Sequence, residues 1–331
     1  MSAVRVLVVD DSPLSVDVLA SRIARDPRLE VVGRAYDGLR AVELARTLRP
    51  AVITMDLAMP KLDGLGAIER IMRERPTRIL VVTAQDSRST LAFEALRRGA
   101  CDLLEKPRPS DGADALCERI WALARAPIGP RPARPSPLPR ARTGARVTAV
   151  GVVASTGGPA ALAALLGALP AELGAAILVV QHLPLGFAER LARWLDGVSP
   201  LAVSIARDGD ALTPGRVLIA GDDRHLTIGA GRRVRTIAGP PVDGHRPSGT
   251  SLLSSLAAEL GERAAGVVLT GMGKDGADGL LALRRAGGRT AAQDEASSVV
   301  YGMPRAAAQA AEVSASPEGL ARYLIDLVGA R

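Results

Sequence analysis

Aromatic side chains are nearly absent, with two Phe, two Trp and three Tyr in 331 residues. Ala, Val and Leu must therefore fill the buried cores, and no ladder of rings is available for stacking nucleic-acid bases. Cysteine is as scarce. Cys101 and Cys117 lack the spacing of a zinc site and the number of a disulfide framework, which leaves them as small core residues in a reducing compartment. No apolar run is long enough to cross a bilayer, and the opening MSAVRVLVVDDS turns acidic after one short apolar stretch, unlike a secretory signal. A cytoplasmic chain with no direct membrane insertion is expected. Histidine is limited to His182, His225 and His245, so imidazole chemistry has only three possible seats.

Against these absences, the hydrophobic fraction is 47% and the length suits two domains with separate cores. From residue 1 to 125 short apolar runs (VRVLVV, LEVVGRA, AVITM, RILVVT, CDLLE) alternate with amphipathic stretches. Five β/α repeats predict a doubly wound parallel sheet of the α/β class. Asp10 and Asp11, Asp56, Thr83 and Lys106 fall at strand ends, which in such a sheet share the rim where ligands bind. A lone Asp there is a helix cap or turn former; five suitable residues on one rim point to chemistry. Three carboxylates repel one another unless a hard cation joins them. Oxygen ligands with open water positions suit Mg²⁺, leaving Asp56 as a phosphate acceptor with Thr83 and Lys106 placed for the phosphoryl oxygens. The residues DD at 10–11, MDLAMPKLDG at 55–64, Thr83 and KP at 106–107 resemble a response-regulator receiver domain. One departure is Leu103, where receivers often carry an aromatic that switches rotamer.

Residues 126–146, APIGPRPARPSPLPRARTGAR, are rich in Pro and Arg without apolar periodicity and read as a semi-rigid, solvated linker. Much of the +7 net charge sits there. Without interleaved aromatics or a helix-turn-helix pattern, a solvated tether is favoured over a nucleic-acid arm, and no nucleic-acid partner is expected.

From 147 to 331 strands and helices alternate again, predicting a second, mainly parallel α/β domain. TAVGVVASTGGPAALAALL reads as strand, tight turn and helix, with Ser155 above the strand end beside the backbone N–H groups of Thr156 to Gly158. Taken alone, a phosphate cradle, a packing turn and a nucleophile turn all fit. A nucleophilic Ser155 needs a base. His182 follows AILVVQ at another strand end; His225 lies in a hairpin or turn, and His245 precedes a helix beginning near Ser248. Position favours His182. Asp275, after VVLT, would orient the base, although it also fits an N-cap of the following helix; Asp278 is the nearby competitor, a turn into that helix and expected to point elsewhere. Gly271, Gly273 and Gly276 spell G-x-G-x-x-G with Asp294 downstream, a dinucleotide fingerprint that leaves Ser155 and His182 unexplained. VASTG is not the G-x-S-x-G elbow, and the order Ser, His, Asp differs from that fold's.

ASTGGP at 154–159, QHLP at 181–184, GHRPS at 244–248, LTGMGKDGADG at 269–279 and QDEASSVVYGMPRAA at 293–307 resemble the chemotaxis protein-glutamate methylesterases. That resemblance implies a phosphorylation-regulated hydrolase acting on glutamate γ-methyl esters of methyl-accepting chemoreceptors, with deamidation of receptor glutamines and a histidine kinase as phosphodonor. It implies Ser155 as nucleophile, His182 as general base, Asp275 as its orienter, and Met272 as a backbone contributor to an oxyanion site near which the turn already sets Thr156, with no cofactor for ester hydrolysis. Two departures stand out: Gly221-Asp222 replaces the usual Pro-Gly before DRH, and Gly249-Thr250 replaces Val-Asp after RPS.

Overall fold

In the computed structural model of the protein, residues 3–83, 89–107, 114–126 and 145–329 are described. The chain divides into two compact units, Met1–Pro130 and Arg131–Arg331. Residues 127–144 of the Pro/Arg-rich linker lie outside the described residues.

The first unit runs β1 (Val4–Val9), α1 (Pro13–Ile23), β2 (Leu29–Ala35), α2 (Gly38–Leu48), β3 (Val52–Met55), α3 (Gly64–Glu74), β4 (Arg78–Thr83), α4 (Ser89–Arg97), β5 (Asp102–Glu105) and α5 (Asp114–Leu123). Polar residues start the helices: Ser12, Asp37 and Asp63 accept the N–H groups of Ser15, Arg40 and Gly66, satisfying donors that the first helical turn leaves unpaired. The apolar runs become strands buried on both faces, as parallel sheets require. Their order is β2-β1-β3-β4-β5, all parallel. The direction of winding reverses between β1 and β3, opening a crevice at their carboxyl ends. Leu103 is fully buried in β5, in register with Val81, so an aliphatic core residue fills the position where an aromatic switch would stand.

The second unit runs β6 (Ala149–Ala154), α6 (Gly158–Gly167), β7 (Ala176–Gln181), α7 (Ala188–Asp196), β8 (Ala202–Ile205), β9 (Arg216–Ile219), β10 (His225–Gly229), β11 (Arg233–Ile237), α8 (Gly249–Leu260), β12 (Ala264–Val268), α9 (Ala277–Arg285), β13 (Arg289–Gln293), α10 (Met303–Ala307), β14 (Val313–Ala315) and α11 (Pro317–Val328). Seven strands form one parallel sheet in the order β14-β13-β12-β6-β7-β9-β8. The mainly parallel expectation holds, and among the described residues the antiparallel ladder is the β10–β11 hairpin. Leu226, Ile228 and Val234 of that hairpin enter one core with Leu252, Leu253 and Leu256 of α8 and Val153 and Val268 of the sheet. The spacing of the three leucines gives α8 one apolar face, which locks it between hairpin and sheet. Winding reverses here between β6 and β12, so the end of β6 borders the crevice.

Candidate active site and phosphoacceptor site

Parallel register sets the first geometric fact. Ala154 pairs with Gln181 and Val153 with Val268, so Ser155, His182 and the loop after Val268 leave three adjacent strands at one level. Neighbouring strands lie about 4.8 Å apart, which makes Ser155 and His182 neighbours. The Ser155 N–H donates to the Thr270 carbonyl at 3.0 Å and the His182 N–H to the Ala154 carbonyl at 3.0 Å. Gln181 ties the pair further: its Nε2 donates to the carbonyls of both Ser155 (2.9 Å) and His182 (3.0 Å). Gly157 turns the chain into α6 with φ +76°, and a Cβ there would meet Val299 at 2.5 Å, so the tight turn after the serine admits only glycine.

His182 and Asp275 are joined by a 2.8 Å bond from Nε2 to Oδ2. Asp275 is 1% exposed and accepts three more hydrogen bonds, from Ser248 Oγ (2.8 Å), Gly249 N–H (2.6 Å) and Thr250 N–H (2.9 Å). Burial opposes ionisation, but the hydrogen bond and charge of His182 with the amides of Thr250 and Gly249 outweigh it and hold the carboxyl well below the usual range. The cap reading of Asp275 needs correction in one respect. The N-cap of α9 is Gly276, and Asp275 instead serves the first turn of α8, a helix from a distant part of the chain. Asp278 is the second residue of α9, within its first turn rather than a turn into the helix.

With Nε2–H committed to Asp275, the lone pair of His182 is on Nδ1, a buried atom with no hydrogen-bond partner among the described residues. Ser155 Oγ forms no bond to it there; such bonds often tighten only with substrate bound. The N–H groups of Thr156 and Met272 likewise have no acceptor among the described residues. Thr156 is buried, whereas Met272 is 37% exposed. The other histidines separate cleanly. His225 accepts from Ser248 N–H (3.3 Å) through Nδ1 and donates through Nε2 to Pro240 O (3.0 Å), so both nitrogens hold structure. His245 stacks on His182, a contact that nothing in residue spacing announced.

The glycine loop does not offer a pyrophosphate cradle. Gly271 donates to Val300 O (3.0 Å), its carbonyl accepts from Gly302 (3.1 Å) and Met303 (2.8 Å), and a Cβ on Gly271 would meet Met303 Sδ at 2.2 Å. Its approach is taken by protein. Asp294 folds onto Ser297, accepting from its N–H (2.8 Å) and Oγ (2.6 Å), rather than facing a ribose.

In the first unit, carboxylate oxygens of Asp10, Asp11 and Asp56 lie within 4.8 Å of one another. Lys106 Nζ is 2.7 Å from Asp10 Oδ2 and 3.4 Å from Asp56 Oδ1. Burial, reinforced by Asp10 and opposed by Lys106, pushes the Asp56 carboxyl up. For Lys106, burial works downward, but the bond to Asp10 and the charge of Asp56 prevail and its pKa rises. Thr83 is buried at the end of β4, and its carbonyl accepts the Lys106 N–H at 2.8 Å. An all-oxygen set with two buried carboxylates and the exposed Asp11 fits Mg²⁺, a hard cation that retains waters.

Residues 150–324 match the CheB methylesterase family model and residues 6–119 the response regulator receiver domain model. The chain is 50% identical over 325 residues to protein-glutamate methylesterase/protein-glutamine glutaminase 3 of Myxococcus xanthus, covering 96% of this chain and 90% of that one. It is 47% identical over 341 residues to the protein of the same name from Anaeromyxobacter dehalogenans, covering 97% and 98%. The crystal structure of the Thermotoga maritima CheB methylesterase catalytic domain aligns with TM-score 0.54 at 35% identity, covering 56% of this chain and 100% of that one. The chain belongs to the protein-glutamate methylesterase/protein-glutamine glutaminase family.

Within this methylesterase both departures from the family pattern acquire a structural account. A Cβ on Gly249 would lie 2.1 Å from Val153 Cγ1, so glycine lets the start of α8 settle on β6 with its N–H against Asp275. Thr250 Oγ1 accepts the Gly276 N–H at 2.9 Å, holding the loop that carries Asp275. Asp222 accepts the Gly186 N–H at 3.0 Å and so ties down the loop following His182. Burial raises the Asp222 carboxyl against the pull of the Gly186 and Ala188 amides.

Proposed function

We propose that Ser155, His182 and Asp275 form the catalytic triad of this methylesterase and that Asp56 is its phosphoacceptor. The observation carrying the first assignment is the buried His182 Nδ1, free of partners among the described residues, one strand from Ser155, with Nε2 anchored on Asp275. Ser155 Oγ attacks the carbonyl carbon of a glutamate γ-methyl ester on a chemoreceptor while His182 Nδ1 takes the hydroxyl proton. The N–H groups of Thr156 and Met272 receive the oxyanion. Collapse breaks the C–OCH₃ bond, and His182 returns its proton to the leaving oxygen as methanol. A water deprotonated by His182 then releases glutamate and restores Ser155. On a receptor glutamine the same sequence releases ammonia. Asp275 remains ionised throughout and offsets the imidazolium charge.

On the receiver, Asp10, Asp11 and Asp56 would hold Mg²⁺, which when bound neutralises charge at the phosphoryl-transfer site. Asp56 takes the phosphoryl group from a histidine kinase, and Lys106 and Thr83 hold its oxygens. Phosphorylation then raises esterase output by shifting the population of active molecules. No helix among the described residues is long and apolar enough to cross a membrane, and Cys101 and Cys117, which are not joined in a disulfide, accord with action in the cytoplasm. The test follows methanol release from methylated receptor membranes with Mg²⁺ and a small phosphodonor. Ser155→Ala should lose at least about 10²-fold, the lower bound for removing the contribution of a general base, and Asp56→Ala should lose the response to phosphodonor. Full activity in Ser155→Ala overturns the triad; an undiminished phosphodonor response in Asp56→Ala overturns the acceptor.

A further inference from the structure

The segment from Val242 to Thr250 supplies more than a helix cap. Val242 and His245 exchange two backbone hydrogen bonds, each 3.0 Å, across Asp243 and Gly244, whose φ values are +51° and +79°. Two positive φ values in a two-residue loop mark the tight Asp-Gly hairpin turn. The turn is secured from outside: Thr250 Oγ1 donates to Asp243 Oδ2 at 3.2 Å, and Lys274 Nζ lies 3.6 Å from Asp243 Oδ1. On the other flank Arg246 donates to Gly239 O (2.5 Å) and Asp223 Oδ1 (2.7 Å). His245 is thus delivered by a braced backbone. Its ring lies 3.8 Å from that of His182, centroid to centroid, with only 9° between the planes.

The bond to Asp275 pins His182 at Nε2 alone. A ring held at one atom can still swing about that bond, because the terminal torsion of histidine is broad. Nδ1, the atom that must meet Ser155, has no protein partner among the described residues to arrest the swing. A parallel ring in van der Waals contact does arrest it, since tilting either plane forfeits or compresses the contact. We propose that His245 is a positioning residue for ester hydrolysis, its stacked ring holding the His182 imidazole in the plane that presents Nδ1 to Ser155 while Nε2 stays on Asp275. This rests on His182 being the general base. Core filling does not explain the ring, because His245 is only half-buried and an aliphatic chain would fill the space without a matched plane. One short segment therefore orients both sides of His182, its ring through His245 and its carboxylate partner through the Gly249 and Thr250 amides.

The experiment measures kcat and KM for methanol release by the full chain on methylated receptor membranes, with Mg²⁺ and a small phosphodonor. His245→Ala should lower kcat at least about tenfold, a fraction of the roughly 10²- to 10⁴-fold that general-base catalysis supplies, with KM within about twofold. His245→Phe, which keeps a flat ring, should stay within about threefold of the unaltered protein, whereas His245→Leu, of similar bulk but not planar, should follow the alanine variant. A kcat within about twofold of normal in His245→Ala overturns the proposal, and so does equal activity of the Phe and Leu variants. If the alanine variant does not fold, the Phe and Leu pair decides. His182→Gln separates the two layers: substantial activity in that variant removes the base assignment itself, whatever His245 does.

Discussion

Asp275→Asn tests whether one carboxylate supports both a helix and a base. Each oxygen of Asp275 accepts two hydrogen bonds: Oδ2 from His182 Nε2 and Gly249 N–H, Oδ1 from Ser248 Oγ and Thr250 N–H. An asparagine has one acceptor and one donor end. Its oxygen can face His182 and Gly249, and Ser248 can rotate its hydroxyl to accept from the new NH₂. The Thr250 N–H then loses its acceptor, at about 1–3 kcal/mol, and the remaining bonds lose charge assistance. Relief of carboxylate burial offsets part of this, leaving about 3 kcal/mol. For a domain of this size, that corresponds to a fall in Tm of roughly 6–12 °C. Calorimetry on the full chain should show that fall in the catalytic-unit transition. Because the folded pKa of Asp275 is depressed, its stabilisation is complete above the unfolded value, about pH 4, and is lost as pH falls through the folded value. The gap between the two proteins should therefore narrow as pH falls below about 4. Methanol release, measured below the lowered Tm, should drop about 10²- to 10⁴-fold through loss of the imidazolium counter-charge. A folded Asp275→Asn protein with near-normal kcat, or an unchanged Tm, refutes the dual role.

Two further outcomes follow from the local geometry. Burial raises Asp56, so the fold favours its protonated form; that contribution is present below about pH 4 and is lost as pH rises through the folded value. Asp56→Asn should accordingly raise the receiver transition in calorimetry by several degrees at pH 7, with the gain vanishing as pH approaches 4, and a lower Tm at pH 7 would contradict it. Gly249→Val drives a Cβ into Val153; overpacking of about 1–3 kcal/mol and displacement of the amide from Asp275 should lower both Tm and kcat, whereas normal values of both would mean that α8 has slack.

The fold was legible because its signals are local. Apolar runs buried on both faces, caps such as Ser12 and Asp63, and β/α alternation each occupy a few consecutive residues, and together they specify doubly wound parallel sheets. The rim residues were legible for the same reason: in a parallel sheet every strand's carboxyl end lies on one side, so Asp10 could be placed beside Asp56 on one sheet, and Ser155 beside His182 on the other, before any distance was known. The dinucleotide fingerprint stayed open as a rival because its three glycines are local while Met303, which occupies the approach to Gly271, is remote in sequence.

What only the folded chain could decide is which groups meet across long separations. Asp275 fitted both an orienter of the base and a cap for the helix that follows it; its carboxylate meets His182 and is bound at the start of α8, some 25 residues earlier. His245 was placed by the sequence only within GHRPS, just before a helix, and a braced hairpin lays it flat on His182. Gln181 ties the backbones of Ser155 and His182 through a single amide. Strand ends are set by local periodicity, but hydrogen-bond direction and ring stacking depend on ångström-scale placement of segments whose separation along the chain carries no such information.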